Sequence, residues 1–88
     1  MKTVKMDITN IVTVRALHVY LAYVLDLPAY YGKNLDALYD VLSTWSEDTR
    51  ILLAGEAASE EMEAYLPRLA GVLQDAAQEN DRLHIEMM

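Results

Sequence analysis

Three short stretches of the chain carry the marks of strands, and two of them alternate. In TVKMDI, Val4, Met6 and Ile8 fall on one side and Thr3, Lys5 and Asp7 on the other. That is the period-two pattern of a strand buried on one face. RLHIEM, near the other end, repeats it with Leu83, Ile85 and Met87 against Arg82, His84 and Glu86. RILLAG between them does not alternate: Ile51, Leu52, Leu53 and Ala54 are all apolar, as expected of a strand that is covered more fully. Half-exposed strands suit edges and the continuous one suits the middle, which predicts a sheet of order 1-2-3.

Between the strands the period changes to that of a helix. Thr13 can cap a helix whose Val14, Leu17, Leu21, Val24 and Leu25 make a core stripe. Pro28 ends it, because a proline disfavours helical geometry at the preceding Leu27. Asn34 can cap a second helix, with Leu35, Leu38 and Leu42 facing inward and Asp36 in the first turn near the positive end of the dipole. Residues 57–80 are helical by pattern, since Met62, Leu66, Leu69, Leu73 and Ala76 recur at three and four. Pro67 fits badly mid-helix, so two helices are predicted there, with Pro67 in the first turn of the later one. Helical crossovers of this length imply parallel neighbours and right-handed connections. The predicted architecture is α/β: one two-layer domain over residues 1–88, with a three-stranded parallel sheet and about four helices.

Composition narrows the function. A chain of 88 residues has room for one modest core. It has no cysteine, which excludes disulfides and thiolate metal sites and fits a reducing compartment. MKTVKMDITN has no long apolar run, and no stretch approaches the ~18 apolar residues of a membrane span. The expectation is a soluble cytoplasmic protein. Net charge is −7 and unevenly spread. Residues 1–28 are at +1 and residues 29–50 at −2, while residues 51–88 set eight acids against Arg68 and Arg82 and reach −6. Such a chain repels phosphate backbones and attracts a basic partner.

Signals for catalysis are weak. His18 lies on the flank of a helix core stripe and His84 on the polar side of a strand, and both read as surface histidines. Gly32, Gly55 and Gly71 stand alone, so there is no phosphate-cradling loop. Asp36 and Asp40 share a helix face, yet two acids without further placed ligands specify no metal site, and no cofactor is expected. That face is nonetheless unusual. Asp36, Tyr39, Asp40 and Ser43 occupy it at helical spacing, with no Lys or Arg partner on the helix. The acids repel each other one turn apart, and aspartate beyond the first turn is a poor helix former. Tyr30, Tyr31 and Trp45 flank the helix. Aromatic rings beside fixed carboxylates suit a protein-binding hot spot.

LPAYYGKNLDALYDVLSTW resembles the signature stretch of the barstar family, the intracellular inhibitors of barnase-type ribonucleases. Tyr30-Tyr31-Gly32, Asn34-Leu35-Asp36-Ala37-Leu38 and Asp40 carry the resemblance, flanked by Leu27-Pro28 and Trp45. The resemblance implies a decoy and not a catalyst. The helix and the loop before it would enter the basic cleft of a barnase-like ribonuclease in a 1:1 complex. Asp40 would stand where a substrate phosphate stands and Asp36 would make a second charged contact. Tyr30 would pack on the enzyme's catalytic region, and Asn34, Tyr39, Ser43, Thr44 and Trp45 would complete the partner-binding surface. The family also uses an acid on its last helix, a place Asp75 takes here by counting back from the final strand.

Four positions depart from the family's habit. Tyr39 stands where Trp is frequent, Lys33 and Ala29 where acids are frequent, and Thr44 where Gly is familiar. The loop is less acidic as a result. A barstar-like binding module or immunity protein for a different basic partner is therefore the alternative, with a small enzyme or metal-binding protein behind it.

Overall fold

The computed structural model describes residues 1–87; Met88, the last residue of the predicted domain, lies outside them. The elements run β1 (Lys2–Asp7), α1 (Val14–Val24), α2 (Leu35–Ser43), β2 (Thr49–Ala54), α3 (Glu60–Glu79) and β3 (Leu83–Met87). The three strands form one parallel sheet of order β1-β2-β3, as the alternation predicts. Val4 lies beside Ile51, and Ile51 beside Ile85. Val4, Met6, Thr49, Ile51 and Leu83 share that register face and are buried, whereas Lys5, Arg50, His84 and Glu86 on the other are exposed. Two right-handed crossovers that step the same way along a sheet put their helices on the same face. The domain is accordingly two layers thick. The outer face of β2 stays uncovered, and Leu52 there is half-exposed.

The core stripes of the three helices close over that sheet. Leu17, Leu21 and Leu25 come from the first crossover, Leu38 and Leu42 from α2, and Met62, Leu69, Leu73 and Ala76 from α3. α3 packs against both α1 and α2, and α1 lies over β1 while α3 lies over β3. Each helix begins on a side-chain cap. Thr13, Asn34 and Ser59 accept the backbone N–H three residues on. The exit from α1 owes less to Pro28 than the sequence implies. Asp26 adopts φ 52°, in the left-handed region. The N–H groups of Asp26 and Leu27 then donate back to the carbonyls of Tyr23 and Ala22, at 3.3 and 2.9 Å. This is a Schellman closure with aspartate in the place usually taken by glycine.

One expectation about the helices fails. Pro67 does not divide residues 57–80; α3 is a single helix of 20 residues with Pro67 inside it, so the described residues hold three helices where about four were expected. The proline removes the donor for the Glu63 carbonyl. Pro67 and Glu63 are both exposed, so water can serve that oxygen. Met62, Leu69 and Leu73 on the other side are fully buried and hold the two halves in line. If packing is what overrides the proline, Pro67→Ala should stabilise the domain by about 1–3 kcal/mol in urea melts, by restoring one helical hydrogen bond. A loss of stability would mean that the proline ring itself is part of the packing.

Candidate functional site

α2 owes its start to Asn34, whose Oδ1 accepts from the Ala37 N–H at 2.8 Å, while its Nδ2 donates to the Gly32 carbonyl at 3.3 Å. Asp36 follows in the first turn, where the helix dipole favours an anion. The inward positions are Leu38 and Leu42, and 3.6 residues per turn then sets Asp40 on the far side of the helix. Asp36 and Asp40 are both exposed. The ion pairs among the described residues lie elsewhere: Lys2–Glu47, Arg50–Glu86 and Arg82–Asp48, at 3.8, 3.3 and 3.5 Å. Neither α2 carboxylate has a hydrogen-bond partner among the described residues. The bonds near Asp40 use its backbone carbonyl, which accepts from the hydroxyls of Ser43 and Thr44 at 3.2 and 3.1 Å.

The loop before α2 is fixed from beneath. The Tyr31 N–H donates to the Pro28 carbonyl at 2.9 Å, closing a turn over residues 28–31. Tyr31 points inward and is buried, while Tyr30 points out and is 83% exposed. The Tyr31 hydroxyl lies 2.5 Å from His18 Nδ1, and the Tyr65 hydroxyl lies 2.8 Å from His18 Nε2. One imidazole thus ties together α1, the loop and α3. A neutral imidazole has one donor and one acceptor nitrogen, and two hydroxyls can complement both. Burial pushes the His18 imidazolium toward deprotonation below its ordinary range, and pushes the Tyr31 and Tyr65 phenols up. Arg68 lies 5.4 Å over the Tyr65 ring and partly offsets the last shift.

His18 therefore corrects the sequence reading, which puts both histidines at the surface; only His84 is exposed. The signal was present in the spacing. His18 precedes Leu25 by seven residues, nearly two whole turns, so the two side chains share one face of the first helix and its continuation. Nothing in the spacing pointed to Tyr31 and Tyr65 as its partners.

Tyr30 stands between two hollows. One is lined by Tyr30, Tyr31, Gly32, Ala37, Asp40 and Val41. The other is lined by Pro28, Tyr30, Val41, Thr44, Trp45, Ser46 and Glu47. Asp40 thus lines the first hollow, Thr44 and Trp45 line the second, and Tyr30 is shared by both, with Asp36 and Ser43 on the outer face of α2. Tyr39 is half-buried against the core, so only part of its ring can meet a partner. Trp45 is also half-buried, and its indole N–H donates to Thr49 Oγ1 at 2.9 Å, leaving ring surface and no donor for the hollow. Asn34 uses its side chain as a cap. Asp75 is exposed on α3, and no hydrogen bond or ion pair among the described residues links it to α2.

The lower end of the site depends on Asn80, a residue the sequence reading passes over. It is buried, and its Nδ2 donates to the carbonyls of Leu42 and Trp45 at 2.9 and 2.8 Å, while its Oδ1 accepts from the Arg82 N–H. The end of α3 is thereby locked to the end of α2. Among the described residues, no group of three His, Cys, Asp or Glu side chains comes together to hold a metal ion. No helix is long and apolar enough to cross a membrane. What the site offers is two carboxylates without internal partners, a phenol and a ring edge, all on a rigid backing.

The family model described as Barstar (barnase inhibitor) matches residues 1–88. The chain belongs to the barstar family. It is also 33% identical over 81 residues to a Bacillus subtilis (strain 168) protein named "Putative ribonuclease inhibitor YrdF", covering 90% of this chain and 89% of that one.

The buried His18 gives this barstar-family domain a pH dependence of definite sign. The unfolded chain takes up a proton at about 6.5, and the folded chain only at lower pH because burial disfavours the cation. Stability from the neutral imidazole is complete above about pH 6.5 and is lost as pH falls from there through the lowered folded value. His18→Gln keeps a donor and an acceptor but does not titrate. It should flatten the decline in urea-melt stability that begins as pH falls below about 6.5. An unchanged slope would remove His18 as its source.

Proposed function

We propose that the chain is an inhibitor of a barnase-type ribonuclease, acting as a decoy without turnover in a 1:1 complex. The observation that carries this reading is the pair of exposed carboxylates, Asp36 and Asp40, held without internal partners beside Tyr30 on a fixed loop. A ribonuclease must grip a phosphodiester with cationic groups, and a carboxylate fixed on a helix can engage the same donors through charge-assisted hydrogen bonds. Asp40 takes the phosphate's place, Asp36 adds a second contact, and Tyr30 packs into the cleft. Thr44, Ser43, Tyr39 and Trp45 extend the contact along α2, and Asp75 adds a charge from α3. Asn34 acts through the start of α2 and not by touching the enzyme. Family membership and the printed name of the Bacillus relative support the assignment. Such an inhibitor works in the cytoplasm, where a ribonuclease would otherwise attack the cell that makes it.

Lys33 favours a second reading, a different basic partner. It is exposed, adopts φ 58° and puts a cation just before the acidic helix. A partner with an acidic rim around a basic cleft would suit it better than a uniformly basic one. Inhibition measured against a panel of barnase-like ribonucleases separates the readings: tight inhibition of one member supports the first, and failure against all of them supports the second.

The electrostatics are directly testable. Association with a basic ribonuclease should be fast at low salt and slow markedly as salt rises, because a partner of opposite charge is steered by a chain of −7. A rate indifferent to salt would count against the decoy.

Asp40 separates function from folding. It gains little from the helix dipole a turn beyond Asp36. It repels Asp36 by about 0.2–0.5 kcal/mol and is a worse helix former than alanine by roughly 0.5–0.7 kcal/mol. Asp40→Ala should leave the domain equally stable or stabilise it by up to about 1 kcal/mol. The same change should weaken ribonuclease binding by more than about 2 kcal/mol, since desolvated cations of the enzyme lose their partner. Denaturant melts and binding isotherms on one purified variant decide. An unfolded variant would make Asp40 structural, and unchanged binding would make this face plain solvated surface.

A further inference from the structure

The second hollow beside Tyr30 carries a carboxylate of its own. Glu47 lies on the segment between α2 and β2 and lines that hollow together with Tyr30, Thr44, Trp45 and Ser46. The hollow has a volume of about 320 Å³. One buried threonine presets it. Thr49 Oγ1 accepts from the Trp45 indole N–H at 2.9 Å and donates to the Glu47 carbonyl at 3.1 Å. Asn80 holds the Trp45 carbonyl at 2.8 Å. The ring and the backbone that carries the carboxylate are therefore fixed relative to each other before any partner arrives. Two of the hollow's donors are spent inside the domain: the indole N–H on Thr49, and the Thr44 hydroxyl on the Asp40 carbonyl at 3.1 Å. What remains is aromatic surface, the Ser46 hydroxyl and an exposed carboxylate. The ion-pair partner of that carboxylate among the described residues is Lys2, at 3.8 Å, longer than a hydrogen bond and exposed at both ends. Such a pair holds its acid weakly, and Glu47 is free to exchange Lys2 for a better donor.

We infer that this hollow is a second cation slot, which takes an arginine side chain of the partner and makes Glu47 a specificity-determining residue. The inference rests on the inhibitor reading for the identity of the partner. Charge and hydrogen-bond complementarity select the occupant. A guanidinium is planar, always charged and weakly hydrated, so it can lie on the Trp45 ring while its edge donates two parallel bonds to one carboxylate. An ammonium can make the charge contact but has no plane to stack. Tyr30 then stands as a partition between two cationic groups of the partner, one at Asp40 in the first hollow and one at Glu47 in the second. The spacing of the two carboxylates across Tyr30 would favour a ribonuclease that presents an arginine beside its phosphate-binding cations over one that presents a neutral side chain there.

An NMR titration of the free chain with N-acetyl-arginine-N-methylamide tests the slot without any ribonuclease. The shifts should centre on Trp45, Ser46 and Glu47, should be at least about threefold smaller with the lysine analogue, and should vanish with the citrulline analogue, which keeps the shape and lacks the charge. Glu47→Gln should abolish them. Glu56→Gln, an equal loss of charge beyond the opposite end of β2, should leave them unchanged. Glu47 and Glu56 are both exposed, so each variant should melt like the wild type. With a barnase-like ribonuclease that the chain inhibits, Glu47→Gln should raise the dissociation rate about tenfold and leave the association rate within about threefold, the mark of a contact and not of steering alone. Equal shifts from arginine and citrulline, shifts that survive Glu47→Gln, or a dissociation rate that Glu47→Gln leaves unchanged would each overturn the inference. If the chain inhibits no such ribonuclease, the inhibitor reading fails, and the slot stands or falls on the titration.

Discussion

Much of the functional geometry hangs on one buried imidazole. A histidine side chain placed in a core leaves two polar nitrogens that must be satisfied there. His18 finds a hydroxyl for each, from Tyr31 on the loop and Tyr65 on α3. The demand fixes the loop, because Tyr31 can reach His18 only from inside the domain. The turn from Pro28 to Tyr31 then leaves Tyr30 on the outside. An exposed ring on an unanchored loop would sample many positions, and binding would have to order it. Here folding has already done so, which is the condition for a rigid contact with a partner.

α2 answers a second constraint at both of its ends. A short helix is marginal alone and needs its termini closed. Asn34 closes the first, and Asn80 reaches across from α3 to close the last through the carbonyls of Leu42 and Trp45. Two asparagines at opposite ends thus hold a nine-residue helix whose outer face adds only the favourable placement of Asp36 in the first turn. Asp36 and Asp40 can then sit one turn apart at a local cost without unwinding it. The hydrogen bonds that close the ends of α2 thus come from residues other than the two acids, whose carboxylates have no hydrogen-bond or ion-pair partner among the described residues.

The sequence disclosed whatever depends on local periodicity. The strands, their order, the caps at Thr13 and Asn34 and the inward leucines all follow from patterns a few residues long, and the structure agrees with each. Proline-67 misled because its penalty is local, whereas the packing that overrides it joins α3 to a sheet and two helices. His18 and Asn80 were missed for the same reason. A buried polar side chain is intelligible only through partners 13 to 47 residues away, and no periodicity encodes those. The outer face of α2 stands out in the sequence for the opposite reason: Asp40 violates local propensity with no local gain, and such a violation is visible without any distant partner.

Charge placement adds a last step. Lys2, Arg50 and Arg82 are engaged with Glu47, Glu86 and Asp48, so three cations are paired with carboxylates other than Asp36 and Asp40, although Glu47 itself lines one of the hollows beside Tyr30. Each pair is exposed, and each contributes little to stability. Their effect on the field is larger than their effect on the fold. An unpaired lysine or arginine beside α2 would cancel the potential that Asp36 and Asp40 present to an approaching cation, and each of these three is instead paired with another carboxylate. Lys33 is the exception, and its position at the lip of the site makes it the residue through which partners of different rim charge would be told apart. On the proposed inhibitor reading, affinity would come from contacts that Asp40 and Tyr30 bury against the enzyme, and discrimination from a cation that touches the rim alone.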